Sequence, residues 1–317
     1  MTRKIGVTLS EISVERLAKI KAAAQGFEVI FTDSGSDELL ECEVIFGQAS
    51  KKVLSQARKL KWLHTQTAGV DRYMRPDSGL SDDVVLTNSV GAYGIGIAEH
   101  LLAAALMLMR KMPDYSRLQD AQRWEYLGEV QTLYNSLVAV VGLGDIGSNF
   151  AARCKAMGAA VRGVVRSPRA AVPPEVDTLY SVENLDEAIA QADVVALCLP
   201  ETAETIHLFD RSRLAKMKKG AYILNVGRGS AIEPDALVQA LKSGHLGGAG
   251  LDVTQPEPLP PGHPLWDAPN TIITPHVSGG DSLDLTLELI VNKFLRYLED
   301  YTQGRPFARA VDRRAGY

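Results

Sequence analysis

Three short stretches in the second half of this 317-residue chain each follow a strand-like apolar run, and each carries one side chain able to do chemistry. They are Asn225-Val226-Gly227-Arg228-Gly229, Leu251-Asp252-Val253 running on to Glu257-Pro258, and Thr274-Pro275-His276-Val277-Ser278. The C-terminal ends of strands in one parallel sheet open on a common crevice, so Arg228, Glu257 and His276 can meet there. A guanidinium offers a planar fork of donors to a carboxylate or carbonyl, and an imidazole gives or takes a proton near neutral pH. A carboxylate bonded to one ring nitrogen holds the imidazole in a single tautomer. Taken singly, the three read as a loop cation, a surface charge before a proline and a strand-end cap. Their shared placement, each beside Gly or Pro at a strand end, is what suggests a catalytic set.

A second constellation is Gly142-Leu143-Gly144-Asp145-Ile146-Gly147, which follows the apolar run 137–141 and opens a helical stretch at 148–157. A strand, a glycine turn and a helix N-terminus make a phosphate cradle, because backbone N–H groups there point outward with partial positive charge. Gly142 permits the turn, Gly144 admits the pyrophosphate and Gly147 lets the helix pack on its strand. In NAD sites an acidic residue some 20 positions on, at the end of the second strand, binds the ribose hydroxyls. Here that position is Val165, followed by Arg166, Ser167, Pro168 and Arg169. Two cations and a hydroxyl in place of a carboxylate predict NADPH, with Arg166, Ser167 and Arg169 receiving the 2′-phosphate.

The elements that must position these residues alternate between strand and helix. Residues 4–9, 27–31, 44–46, 62–65 and 84–87 read as strands, with helical spacing at 14–25 and 51–58. A long apolar helix is expected over 94–112, ended by Pro113 and bridging two domains. A second alternation follows, with strands at 137–141, 160–165, 194–199, 222–225, 249–253 and 271–274 and helices from 146 and over 184–191. This predicts an α/β chain of two doubly wound parallel-sheet units, only the second bearing the phosphate turn. The amphipathic stretch 283–301 is expected to return to the first unit. The first domain would then be discontinuous, and its two crossings would hinge over a ligand cleft.

Composition is that of an ordinary globular protein, 46% hydrophobic and 23% charged. A formal charge of −4 and a pI near 5.9 give no basic footprint for nucleic acid or an anionic membrane. The odd set Cys42, Cys154 and Cys198 contains no CxxC pair, which argues for free thiols in a reduced cytosol and against a zinc site. No stretch reaches the roughly 18 apolar residues of a membrane span. Residues 95–109, the longest candidate, include Glu99 and His100.

With these motifs in place, the sequence resembles the D-isomer-specific 2-hydroxyacid dehydrogenase family over nearly its whole length. The resemblance rests on Thr67-Ala68-Gly69-Val70-Asp71, Ala98-Glu99-His100, the stretch from Val141 through Gly147, Leu199-Pro200 with Thr205, Asn225-Val226-Gly227-Arg228-Gly229, Asp252 with Glu257-Pro258, and Thr274-Pro275-His276. It implies a Rossmann nucleotide domain at 98–280, a flavodoxin-like substrate domain at 1–97 with 281–317, and a homodimer. It implies catalytic roles for Arg228, Glu257 and His276, and a loop at Ala68, Gly69 and Val70 whose N–H groups receive the substrate carboxylate together with Arg228. Cofactor contacts are implied along Gly142, Gly144, Asp145, Ile146, Gly147, Leu199, Pro200, Thr205, Val226 and Asp252, the last facing the nicotinamide amide or capping its loop.

The expected activity is NADPH-dependent reduction of a small 2-oxo acid of the glyoxylate or hydroxypyruvate kind, without a metal. A dinucleotide-sensing binding protein of the co-repressor type and a nucleoside-dependent methyltransferase are the alternatives. His64, His207, His245 and His263 read as structural or solvated, and His100 with Glu99 as a buried pair fixing the bridging helix. Gln66 and Tyr93 are candidates to line the pocket, and Arg72 and Arg75 read as a solvated face.

Overall fold

Short β-branched and aromatic runs separated by Ser- and Gly-bearing turns build the first unit, whose strands are β1 (Arg3–Val7), β2 (Phe27–Phe31), β3 (Val44–Phe46), β4 (Trp62–His64) and β5 (Val85–Thr87). Helices α1 (Val14–Ala23), α2 (Lys51–Gln56) and α3 (Asp71–Met74) intervene. The structure, a computed structural model, describes residues 2–10, 12–167, 171–280 and 283–313. The five strands are parallel in the order β2-β1-β3-β4-β5. All residues of β3 and β4 are buried, as expected of central strands in a sheet covered on both faces. Ser13 and Ser50 cap α1 and α2 by accepting from the backbone N–H groups of Arg16 and Val53.

The second unit, Gly94–Gly279, opens with α4 (Gly94–Met109) and α5 (Met112–Asp120). Its seven strands are β6 (Leu137–Val141), β7 (Ala160–Val165), β8 (Thr178–Ser181), β9 (Val194–Leu197), β10 (Ala221–Asn225), β11 (Leu246–Leu251) and β12 (Thr271–Ile273). Helices α6 (Asp145–Ala156), α7 (Leu185–Ile189), α8 (Arg211–Lys216) and α9 (Pro234–Lys242) connect them. The parallel order β12-β11-β10-β9-β6-β7-β8 reverses direction between β6 and β9, the switch point where doubly wound sheets bind ligands. Both units are therefore doubly wound, one five-stranded and one seven-stranded.

Two sequence expectations change. Pro113 does not end the bridging helix: α4 stops at Met109, Lys111 takes a left-handed conformation with φ 54°, and Pro113 lies in the first turn of α5. A first-turn N–H has no intrahelical acceptor in any case, so proline is tolerated there and starts a helix as readily as it stops one. Strand β8 also escaped sequence reasoning, because an edge strand whose residues are at most partly buried carries little alternation.

The chain returns to the first unit, Met1–Tyr93 with Gly280–Tyr317, through α10 (Asp284–Thr302). Arg16 on α1 donates to Asp284 and Glu288, fastening this helix. Phe294 stacks on Phe46 at 4.0 Å between centroids and on Trp62 at 5.3 Å, and these rings surround His64. His64 Nδ1 lies 2.7 Å from Thr87 Oγ1, and Nε2 3.2 Å from Ser89 Oγ.

Burial, aided by the Lys293 ammonium, pushes the His64 imidazole down to about 3. The unfolded chain takes up this proton near pH 6.5 while the folded chain does not, so stability present above 6.5 is lost as pH falls toward 3. The wild-type melting temperature should therefore fall between pH 7.5 and pH 5, at about 2–4 °C per kcal/mol. His64→Gln should flatten that dependence, and an equal slope in the variant would remove His64 as its source.

Candidate functional site

The glycine turn has the geometry its sequence promised. Gly142 has φ 99°, and a Cβ there would sit 2.6 Å from the Cys198 carbonyl oxygen. At Gly147 a Cβ would lie 1.9 Å from the Gly142 oxygen, so only glycine lets α6 approach the turn. Gly144 differs, because a Cβ there would meet nothing within 4 Å. It is the N-cap of α6 and has no side-chain capping bond, so open space stands before the first-turn N–H groups of Asp145, Ile146 and Gly147. An uncapped helix start with room in front suits a dinucleotide phosphate. The Asp145 carboxylate lies where a Cβ on Gly94 would come within 2.3 Å of Oδ1, and it also accepts from Asn149.

The residues expected to meet the adenosine end stand at the end of β7. Val165 is buried, and Arg166 and Ser167 directly after it are exposed; Arg169 lies outside the described residues. The Thr202 hydroxyl and a backbone hydrogen bond hold the Glu204 carboxyl below its usual range, with a smaller contribution from the Arg166 charge. Thr205 closes the loop after β9: its hydroxyl donates to Pro200 O at 2.8 Å and accepts from Thr202 N at 2.8 Å. Leu199 is packed partly buried under that loop, and Val226 is buried at the end of β10.

The proposed catalytic side chains stand on adjacent strand ends. Asp252 N donates to Asn225 O at 3.0 Å and His276 N to Asp252 O at 2.8 Å, which ties the loops after β10, β11 and β12 edge to edge. His276 Nδ1 is 2.6 Å from Glu257 Oε1, both side chains being about half exposed. His276 has φ 54°, a left-handed conformation costing of order 1–3 kcal/mol in a non-glycine residue. Arg228 begins a short 3-10 turn, its carbonyl held by Asn225 Nδ2 at 2.9 Å and its Nη1 donating to Gly227 O at 2.7 Å. A Cβ on Gly229 would strike Thr254 O at 1.9 Å, so the Arg228 loop and the loop leading to Glu257 are in contact.

Asp252 organises this arrangement. It is 2% exposed; Oδ1 accepts from Thr274 Oγ1 at 2.5 Å and Val277 N at 2.9 Å, and Oδ2 from Ser278 N at 3.0 Å and from the Ser278 hydroxyl. Burial pushes this carboxyl up, but the bonds from Ser278, Thr274 and the two N–H groups outweigh it, and the group lies below the usual carboxylate range. Its oxygens thus cap the loop that holds His276. The sequence motif contains Thr274 and Ser278 but does not announce this role; the signal for it is a pair of hydroxyls two positions either side of a strand-end histidine. The expected His100–Glu99 pair is not formed. Instead His100 Nε2 lies 3.2 Å from Thr274 Oγ1, and Glu99 on the exposed side pairs with Arg153, because neighbours in a helix point about 100° apart.

In the first unit the loop after β4 is tied by its carbonyls. Ala68 O accepts from Asn88 Nδ2 at 2.9 Å, Gly69 O from the Thr67 hydroxyl at 2.7 Å and Val70 O from Tyr73 N at 2.8 Å. Among the described residues, the N–H groups of Ala68, Gly69 and Val70 have no protein acceptor. Tyr93 supports the same loop by donating to Gln66 O at 2.6 Å. His207, read as structural, reaches the loop between β11 and Glu257, its Nε2 lying 3.2 Å from Gln255 Oε1.

The two inner glycines separate folding from binding. Gly147→Ala should lower the melting temperature, since backbone must move to admit the methyl group. Gly144→Ala should leave it nearly unchanged yet weaken dinucleotide binding by more than about tenfold, or about 1.4 kcal/mol. Fluorescence titration with NADPH and thermal melts of both variants check this; undiminished affinity in Gly144→Ala would place the phosphates elsewhere.

Comparison with known proteins agrees with this geometry. Residues 102–278 match the profile of the D-isomer specific 2-hydroxyacid dehydrogenase NAD binding domain. A solved D-isomer specific 2-hydroxyacid dehydrogenase family protein from Aeromonas salmonicida is 33% identical, with a TM-score of 0.87 over 99% of this chain and 100% of that one. The NADPH-dependent glyoxylate/hydroxypyruvate reductase from Sinorhizobium meliloti, solved with NADP and sulfate, is 28% identical, with a TM-score of 0.84 over 99% of this chain and 100% of the other. Glyoxylate reductase from Thermofilum pendens is 31% identical over 72% of this chain and 68% of its own length. The chain spans about half the length, 47%, of the D-3-phosphoglycerate dehydrogenase from Synechocystis, to which it is 32% identical over 84% of its own. Sequence motifs, sheet order and turn geometry thus converge, and the chain belongs to the D-isomer-specific 2-hydroxyacid dehydrogenase family.

Proposed function

We propose that the protein is a cytoplasmic NADPH-dependent reductase that converts a small 2-oxo acid, of the size of glyoxylate or hydroxypyruvate, into the D-2-hydroxy acid. The observation carrying this reading is the 2.6 Å contact between His276 Nδ1 and Glu257 Oε1 on the strand-end row that also bears Arg228. With Nδ1 engaged by the carboxylate, Nε2 is left to hold the proton that the substrate oxygen takes. Arg228 is suited to receive the carboxylate and polarise the carbonyl, and in the first unit the N–H groups of Ala68, Gly69 and Val70 are suited to a carboxylate. The nicotinamide, when bound, supplies the hydride that the carbonyl carbon accepts. His276 Nε2 then gives its proton to the developing alkoxide, and Glu257 keeps the ring oriented throughout.

The residues present fit the cofactor. Gly142, Gly144 and Gly147 with the N–H groups of Asp145 and Ile146 are suited to the pyrophosphate, and Arg166 and Ser167, which Arg169 follows in the sequence, to a 2′-phosphate, with no carboxylate at Val165 to repel it. Leu199, Pro200, Thr205 and Val226 would line the dinucleotide, while Asp252 acts through the loop it caps. The Sinorhizobium meliloti and Thermofilum pendens relatives favour a glyoxylate-sized substrate and, in the first case, NADPH. Among the described residues no helix is long and apolar enough to cross a membrane. A homodimer is part of the same reading, because Trp124, Tyr126 and Tyr134 stand largely exposed on one stretch of the second unit, an apolar surface that a second copy would cover.

His276→Ala should lower kcat by about 10²- to 10⁴-fold with little change in NADPH affinity. Arg228→Lys should cost more than about tenfold in kcat/KM, because a point cation cannot replace a bidentate fork. Wild type should prefer NADPH over NADH by roughly ten- to a hundredfold in kcat/KM, and Arg166→Ala should erode that preference. A panel of 2-oxo acids scored by NADPH consumption tests all three; near wild-type kcat in His276→Ala removes that residue as proton donor, and equal use of the two cofactors removes the 2′-phosphate site.

A further inference from the structure

Arg72 lies two residues beyond Val70, in the first turn of α3, and is exposed. Its partners set it apart from the paired arginines of the first unit. Arg3, Arg16, Arg305 and Arg313 are each bound to a carboxylate, so their charges are locally neutralised. Arg72 makes no ion pair among the described residues. Its Nη1 donates to Gln48 Oε1 at 2.6 Å, its Nη2 approaches Ala49 O at 3.5 Å, and its guanidinium carbon lies 5.2 Å from the centroid of the buried Tyr73 ring. A carboxamide, a carbonyl and an aromatic face orient the fork without cancelling its charge. Of five guanidinium N–H groups two are engaged, which leaves three for a ligand.

Gln48 also faces a cavity. At the C-terminal ends of β1 to β4, Thr8, Ser10, Thr32, Gln48 and Gln66 line a space of about 580 Å³, where a doubly wound sheet receives ligands. The lining is rich in hydroxyls and carboxamides. Its one described charge is Asp33, after β2, so the cavity wall itself does not attract an anion. Gln66 is also the residue that leads into the Ala68 to Val70 loop. At the strand ends of one unit the chain therefore brings together a loop whose N–H donors have no acceptor among the described residues, roomy polar space and a fixed, uncompensated cation.

We propose that Arg72 is a specificity-determining residue that binds a second carboxylate on the substrate, so that among 2-oxo acids of four or five carbons the dicarboxylic acids are preferred over monoacids of equal length. This rests on the reductase reading above and extends it from the reacting end of the substrate to its tail. The 1-carboxylate uses the N–H groups of Ala68, Gly69 and Val70, and the distal carboxylate takes the open N–H groups of Arg72. Because the guanidinium is already held by Gln48 and Tyr73, little side-chain freedom is lost on binding. The contact is the same before and during the chemical step, so it acts through KM and leaves kcat nearly unchanged.

The test compares kcat/KM for oxaloacetate and 2-oxoglutarate with that for glyoxylate and for the equally long monoacids 2-oxobutyrate and 2-oxopentanoate, in wild type, Arg72→Gln and Arg72→Lys. Wild type should favour the diacids over monoacids of equal length by at least about tenfold. Arg72→Gln should abolish that preference through KM and leave glyoxylate turnover within about twofold, and Arg72→Lys should restore part of it. Absence of a diacid preference in wild type, or an equal loss on diacid and glyoxylate in Arg72→Gln, overturns the proposal while the reductase reading stands. Calorimetric binding of D-malate in the presence of NADP reads the same contact without turnover. Should no oxo acid be reduced, the reductase reading fails, and weaker D-malate binding in Arg72→Gln still supports the Arg72 contact; equal affinities reject it.

Discussion

In both units the parallel ladder runs one residue past the ends of its strands, and each functional loop starts from that extra bond. In the second unit Gly142 N reaches Val164 O, Cys198 N reaches Val141 O, Val226 N reaches Leu197 O, Asp252 N reaches Asn225 O and Thr274 N reaches Leu251 O, with His276 N reaching Asp252 O two residues further on. In the first, Thr8 N reaches Phe46 O, Gly47 N reaches His64 O and Thr65 N reaches Thr87 O. A loop anchored in this way inherits the strand spacing of just under 5 Å and the register of the sheet. The positions of Arg228, Asp252 and His276 along one edge therefore follow from backbone pairing before any side chain acts. Side chains then refine a geometry that is already set.

Asp252 is the clearest case of such refinement. A buried carboxylate without partners would be expensive, but this one accepts four hydrogen bonds, all from residues 274, 277 and 278. Those bonds encircle His276 and hold it in a left-handed conformation that its own preferences disfavour. The cost of the strained residue and the cost of burying the carboxylate are thus offset by the same set of contacts. Replacing either partner alone would leave the other uncompensated, which couples the loop after β12 to the end of β11.

How much of this was legible in the sequence depends on whether the determinant is local. The glycine turn was, because Gly142 and Gly147 are dictated by a positive φ and a 1.9 Å approach that only glycine satisfies. The strand-end positions of Arg228 and His276 were, because apolar runs followed by Gly or Pro mark where a buried strand surfaces. The His100 partner was not, since helix neighbours point apart and its actual partner, Thr274, is 174 residues away. The filled coordination of Asp252 was invisible for the same reason, and β8 was missed because an edge strand owes its existence to its neighbour β7 more than to its own pattern.

The His276–Glu257 pair shows why energetic weight and functional weight must be kept apart. With both side chains about half exposed, the contact is the kind of ion pair that contributes little to stability, of order 0–1 kcal/mol. Stabilisation is therefore a poor explanation for a 2.6 Å approach between two residues on separate strand-end loops. Orientation is a better one. A lone imidazole on a surface loop samples ring rotations and both tautomers, whereas one whose Nδ1 is held by a carboxylate presents Nε2 in a single direction. The backbone of His276 is fixed by Asp252, and its ring by Glu257. Two carboxylates, one buried to shape the main chain and one exposed to aim the side chain, divide between them the placing of a single imidazole.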